Sequence, residues 1–292
     1  EPSEQVKVVF RGAEAAAAAD MDGKWMVKLP AQQAGGPFEM TIAGKNTIQL
    51  TDILVGEVWI GSGQSNMEMG IGVIMNGAQE AAAANYPNIR LFMVPNVPAG
   101  QPQSDCEGSW QVCSPETVAA GGWGGFSATA YFFGRELHQQ LNVPVGLLDA
   151  SWGGTAIEPW TPPVGFEQVP ALQNFVNVIK EANQNYKNAV AKTLTDTESW
   201  VKAARQALEA GKAIPPQPVW PEHPLKNPGH PTQPTCLYNG MISPIKPFAI
   251  RGAIWYQGEG NLGDGMAYFD KMKALIQGWR SVWQVGDFPF YL

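Results

Sequence analysis

From residue 54 onward the chain alternates short apolar runs with amphipathic stretches, and this rhythm constrains the fold more than any other feature. GEVWIGS, NIRLFMVP, VPVGLLDAS, IRGAIWYQG and DFPFYL are near-continuous apolar runs of strand length. Between them, FSATAYFFGRELHQQL and MAYFDKMKALIQGWRSVW repeat apolar residues at helical spacing. A strand apolar on both faces needs cover on both faces, and crossover helices supply it to a parallel sheet. The expected fold class is therefore α/β, with a parallel sheet between helical layers.

Residues 1–53 have a different rhythm. QVKVVF alternates apolar with polar residues, and GKWMVKLP, PFEMTIAG and NTIQLTDI are short runs separated by Gly, Pro and Asn. AEAAAAAD, between strand-like runs, reads as a loop or an edge. The expectation is a small β-sandwich lobe over 1–53, too thin to stand alone and so incomplete. The α/β domain takes 54–292. It carries a helical insertion at about 165–235, read as a helical hairpin over 167–211 followed by a Pro-rich irregular loop.

Composition narrows the function. With 19 Lys and Arg against 26 Asp and Glu, the net charge is −7. The absence of any basic patch argues against nucleic acid as a partner. No apolar stretch approaches the roughly 20 residues that span a bilayer, so no membrane association is expected. No signal peptide is visible, and a chain opening at Glu1 reads as a mature or trimmed form. Three cysteines make no disulfide framework, although Cys106 and Cys113 are close enough in sequence to bridge.

In an open parallel sheet, ligands bind beyond the carboxyl ends of the strands. Three polar, Gly-rich clusters fall at such ends: SGQSN, ASWGGTAIEPW and YQGEGN. Ser65 follows Gly63 at the end of an apolar run, and by itself is either a nucleophile or a hydroxyl in a turn. The elbow Gly-x-Ser-x-Gly is not formed, because Met67 occupies its last position. A nucleophilic serine needs a base and donors aimed at the developing oxyanion. Donors are on offer from the Ser65 N–H, from Gly153 or Gly154, and from the amide of Gln257 or Asn261. The base is missing.

The blocks GEVWIGSGQSNMEM, PVGLLDASWGGTAIEPW, TCLYNGMISPI and RGAIWYQGEGN, in this order, resemble the sialate O-acetylesterase family of SGNH hydrolases. The stretch DGKWMVKLPAQQAGGPFEMTIAGKNTIQLTDILVGEVW resembles the β lobe that precedes them in that family. The resemblance implies a flavodoxin-like α/β/α sandwich and serine-dependent removal of O-acetyl groups from a carbohydrate, sialic acid or a polysaccharide such as xylan. No metal and no organic cofactor are implied. Ser65 is then the nucleophile, Gly153 an oxyanion donor and Gln257 the third-block amide. The usual third block is Gly-x-Asn-Asp and here reads Gln-Gly-Glu-Gly-Asn, which keeps Asn261 open beside Gln257. Gln64, Gly154, Glu259, Asn261 and Trp152 are expected to line the substrate site, and the enzyme is expected to be secreted or periplasmic. Rival readings are an inactive carbohydrate-binding protein of the same fold and an esterase for apolar acyl groups.

The family draws its base from an Asp-x-x-His motif after the fifth strand. None of His138, His223 and His230 has an aspartate three positions earlier. The expectation is that the C-terminal part is missing and that Asp and His lie beyond Leu292, or on a separate C-terminal fragment acting as a partner. Blander roles compete elsewhere. Asn66 and Glu68 suit the first turn of a helix starting at Ser65. Glu259 suits a loop-pinning role. Trp152, Trp160 and Trp255 are core residues or sugar platforms, and His223 and His230 lack the company of metal ligands.

Overall fold

The computed structural model describes residues 1–226 and 229–292. Strands β1 (Gln5–Phe10), β2 (Ala13–Ala18), β3 (Gly35–Ala43) and β4 (Thr47–Val55) form an antiparallel sheet in the order β2-β1-β3-β4. Val6, Val8 and Phe10 alternate inward along β1 and are buried. The alanine run is the edge strand β2. Arg11 and Gly12, at φ 51° and 81°, make a two-residue hairpin turn that returns it against β1 in spite of its helical propensity. GKWMVKLP, expected as a strand, lies outside both sheets, because β2 and β3 already take the two edges of β1. The expected β-sandwich is therefore a single four-stranded sheet.

The second sheet contains β5 (Glu57–Gly63), β6 (Tyr86–Met93), β7 (Gln111–Cys113), β8 (Val145–Ser151), β9 (Gly252–Tyr256) and β10 (Phe290–Tyr291). Its order is β10-β9-β5-β8-β6-β7, parallel throughout except for β7. The antiparallel β7 was not expected, since three residues carry no readable periodicity. DFPFYL contributes only the two residues of β10.

The helices are α1 (Ser65–Glu68), α2 (Gly77–Ala82), α3 (Pro115–Val118), α4 (Ala128–Leu141), α5 (Pro163–Glu167), α6 (Gln173–Glu209) and α7 (Ala267–Trp283). Strand residues alternate between two cores. Ile60, Leu148 and Ala253 enter one core, with Trp279 and Trp283 of α7, while Trp59, Leu147 and Ile254 enter the other, with Ala130 and Tyr131 of α4. Each large side chain so buried contributes about 1.5–3 kcal/mol. β8, at the centre, is buried at every position.

Two further expectations are corrected. The helical hairpin is one continuous helix, α6, of 37 residues. No Gly or Pro interrupts it, so nothing breaks its hydrogen bonding until Gly211, at φ 65°. Cys106 and Cys113 are free thiols. They pack against opposite cores of the sheet. Burial pushes the Cys113 thiol up to about 11. No helix among the described residues is long and apolar enough to cross a membrane.

Candidate active site

β5 ends at Gly63, where φ is 137° and a Cβ would lie 2.1 Å from Tyr256 O. Only glycine permits this approach of β5 to β9. Gln64 N–H then donates to Tyr256 O at 2.9 Å, and the chain turns into α1 at Ser65. Ser65 is half-buried, and its Oγ makes no hydrogen bond among the described residues. As the first helical residue, it has an N–H with no intrahelical acceptor.

The loop after β8 brings Gly153 beside it: a Cβ on Gly153 would stand 3.5 Å from Ser65 Cβ. Gly153 N–H donates to Glu68 Oε2 at 2.6 Å, and Asn96 Nδ2 donates to Glu68 Oε1 at 3.2 Å. Glu68 therefore holds the β8 loop and does not cap its own helix, whose N-terminus has no side-chain cap. Asn66 does not cap it either, since its Nδ2 donates to Glu259 Oε1 at 2.7 Å. Gly154 continues the turn at φ 74°, and the exposed His230 reaches it, with Nε2 at 3.2 Å from Gly153 O.

The third cluster ties the other two together. Gln64 Oε1 accepts from Gly258 N (3.3 Å) and Gly260 N (2.9 Å), so this buried side chain braces the loop. Gln257 Nε2 donates to Thr155 O at 3.0 Å and to Asn261 Oδ1 at 2.8 Å, while its Oε1 accepts from Tyr268 Oη at 2.8 Å. Asn261 Oδ1 also accepts from Ile157 N, and its Nδ2 donates to Glu158 and Asp264. The sequence-based expectation that one of these amides points at an oxyanion gives way to a different finding. Every N–H of both amides is committed to the protein, because the buried loop carbonyls and carboxylates around them need donors. Trp152 packs on the main core, and Trp160 and Trp255 are fully inside it, their rings edge-to-face at 6.2 Å.

Residues 55–197 match the family model described as "Carbohydrate esterase, sialic acid-specific acetylesterase". A sialate O-acetylesterase of Rattus norvegicus is 30% identical over 272 residues, 90% of this chain and 47% of the rat protein. The Homo sapiens sialate O-acetylesterase is 29% identical, over 92% of this chain and 46% of that protein. A crystal structure of a carbohydrate acetylesterase from Xanthomonas citri superposes with a TM-score of 0.72 at 31% identity, covering 99% of this chain and 53% of that one. Over residues 55–197, just under half of its length, the chain is thus similar to sialic acid-specific acetylesterases. The chain spans about half the length of these relatives.

The fold also places at the site residues that the sequence patterns do not single out. Asp149, near the end of β8, is buried, and accepts Ser151 Oγ at 2.5 Å and Ser127 N at 3.3 Å. Burial pushes its carboxyl up to about 7 against these two hydrogen bonds, and the charge of Glu68 adds to the rise. Lys271 of α7 joins Glu158 (2.5 Å) and Asp264 (2.6 Å) beneath the Asn261 amide. A carboxylate inside the apolar run GLLDAS is the one local signal available for Asp149.

The committed amides give a test. Gln257→Ala leaves Thr155 O without its side-chain donor, a cost of about 1–3 kcal/mol, while Tyr268 Oη keeps its bond to the main-chain carbonyl of residue 257 at 2.8 Å. The expected result is a lower kcat together with a lower Tm. A residue donating directly to an oxyanion would lower kcat with Tm unchanged, and that outcome would restore Gln257 to the oxyanion.

Proposed function

We propose that this chain is the catalytic part of a carbohydrate O-acetylesterase, a carboxylic ester hydrolase that works through an acetyl-Ser65 intermediate. The observation that carries the reading is the placement against the Gly153 peptide of a Ser65 side chain with no hydrogen bond among the described residues, at the carboxyl end of a parallel sheet. The finer fold assignment belongs to the same reading: an α/β/α sandwich of the SGNH type over 54–292, with the N-terminal sheet as an accessory lobe. Ser65 Oγ attacks the acetyl carbonyl, and the tetrahedral oxygen takes hydrogen bonds from the Ser65 and Gly153 N–H groups. Glu68 occupies the Gly153 N–H at rest and yields it to the oxyanion, whose single negative charge sits on one oxygen and is not shared over two. The sugar alkoxide leaves with a proton, and water then releases acetate and frees Ser65. The matched relatives are named for sialate and carbohydrate acetyl esters, which supports acetylated sugar as the substrate class. Such substrates fit a secreted or periplasmic enzyme.

Hydrolysis of 4-nitrophenyl acetate, blocked by a serine-directed phosphonate that labels the peptide containing Ser65, tests this reading. Label on another serine rejects it. The proton acceptor is the second question. His230 is the imidazole in contact with the Gly153 turn, and an Asp–His pair contributed from outside residues 1–292 is its competitor. If His230 is the base, His230→Ala lowers kcat on 4-nitrophenyl acetate by about 10² to 10⁴. An unchanged rate assigns the base to the competitor.

A further inference from the structure

We propose that the cleft between α6 and the Pro-rich segment 215–226 binds a chain of neutral sugar units and leads it toward Ser65. The link to Ser65 rests on the esterase reading, whereas binding in the cleft does not. Two cavities, of about 470 and about 430 Å³, share Trp220 as a common wall. The first lies between Tyr186, His223 and the loop that follows β6, and the second between Trp200 and residues 217–219. Tyr186, Thr193, Thr197 and Trp200 recur at helical spacing and so share one face of α6. Tyr186 and Trp200 are 14 residues apart, about 21 Å along the helix axis. That length suits several linked rings and not one monosaccharide.

The lining has the chemistry of a sugar site. Trp220 is 54% exposed, a large apolar surface left in water. Aromatic faces cover the C–H face of a pyranose, and the polar residues Gln101 and Gln103 line the same cavity, with Gln103 Nε2 donating to Gln101 O at 2.8 Å. Trp200 Nε1 donates to Pro215 O at 2.8 Å, which fixes the Pro-rich segment to the helix and preforms the cleft.

Charge selects a neutral chain. Lys226, the one Lys or Arg in the lining of the two cavities among the described residues, pairs with Glu222 at 3.1 Å. His223 accepts from Leu225 N at Nδ1 and bonds Asn183 Oδ1 through Nε2, the pattern of an uncharged ring. Among the described residues of the lining, no unpaired cation remains to compensate a sugar carboxylate. The cleft also connects to the site through one short loop. Asn96 bonds Glu68 beside Gly153, and the next residues, Val97 to Gly100, line the first cavity.

Affinity electrophoresis of the purified chain tests the proposal, in native gels cast with birchwood xylan, galactomannan, hydroxyethylcellulose or polysialic acid. At least one neutral polymer is expected to retard the wild type. Trp220→Ala is expected to weaken that retardation at least tenfold in apparent Kd, Trp220→Phe to keep most of it, and polysialic acid to have no effect. Circular dichroism melts establish that each variant is folded. Ser65→Ala is expected to be retarded like the wild type, so that a failed esterase assignment and a failed binding site give different results. No retardation by any neutral polymer, retardation by polysialic acid alone, or an unaffected Trp220→Ala overturns the proposal.

Discussion

Replacing Ser65 by alanine is expected to lower the hydrolysis of 4-nitrophenyl acetate at least about a hundredfold, because removing the nucleophile disables the whole catalytic unit. The loss falls on kcat, and KM for so small an ester changes little. The fold should be untouched. Ser65 Oγ makes no hydrogen bond among the described residues, so alanine leaves no buried partner stranded. Unchanged melting and a collapsed rate together identify a chemical role. A variant that keeps the wild-type rate moves the nucleophile elsewhere, and Ser62 is a poor heir: it is fully buried in β5, on the strand and not beyond its end.

The largest loss of stability is expected for Lys271→Met. Lys271 is 8% exposed, and its ammonium bridges Glu158 and Asp264. Burial opposes its charge, but hydrogen bonds to Asp264 and Glu158 outweigh that effect and raise its pKa. Removing one partner of a buried charge network costs about 3–5 kcal/mol, because the carboxylates left behind are uncompensated. Asp264 retains some access to water, which places this substitution near the lower end, about 3 kcal/mol. Denaturant unfolding measures it. Since Asn261 Nδ2 donates to both carboxylates, the loop carrying Gln257 should loosen too. A loss below about 1 kcal/mol would mean that the network is solvated and contributes little.

The two core layers are legible in the amino-acid sequence, because periodicity is a local property. Trp59 and Ile60, or Leu147 and Leu148, are adjacent residues that enter opposite cores, which is why their strands read as unbroken apolar runs. The same logic finds α4 and α7. It misjudges α6 by assuming a turn where the sequence offers no Gly or Pro to make one. It misses the three-residue β7 and assigns GKWMVKLP to a sheet whose interior edges are already taken.

At the site, the sequence by itself determined which residues stand at the strand ends. Ser65, Gly153 and Gln257 follow β5, β8 and β9, and chain connectivity fixes that much. Tertiary structure alone decided what each side chain does there. Glu68 fits the first turn of its helix by local rules, yet it accepts the N–H of Gly153, 85 residues away. Gln257 looks like a free donor in the sequence, yet Thr155 O, 102 residues away, holds one of its N–H groups. Hydrogen bonds of this kind link segments with no local relation, and their geometry exists only once the strands have paired. Spacing along the chain could therefore place the groups of this site at one edge of the sheet, but only the packed fold shows which of their donors and acceptors are already taken.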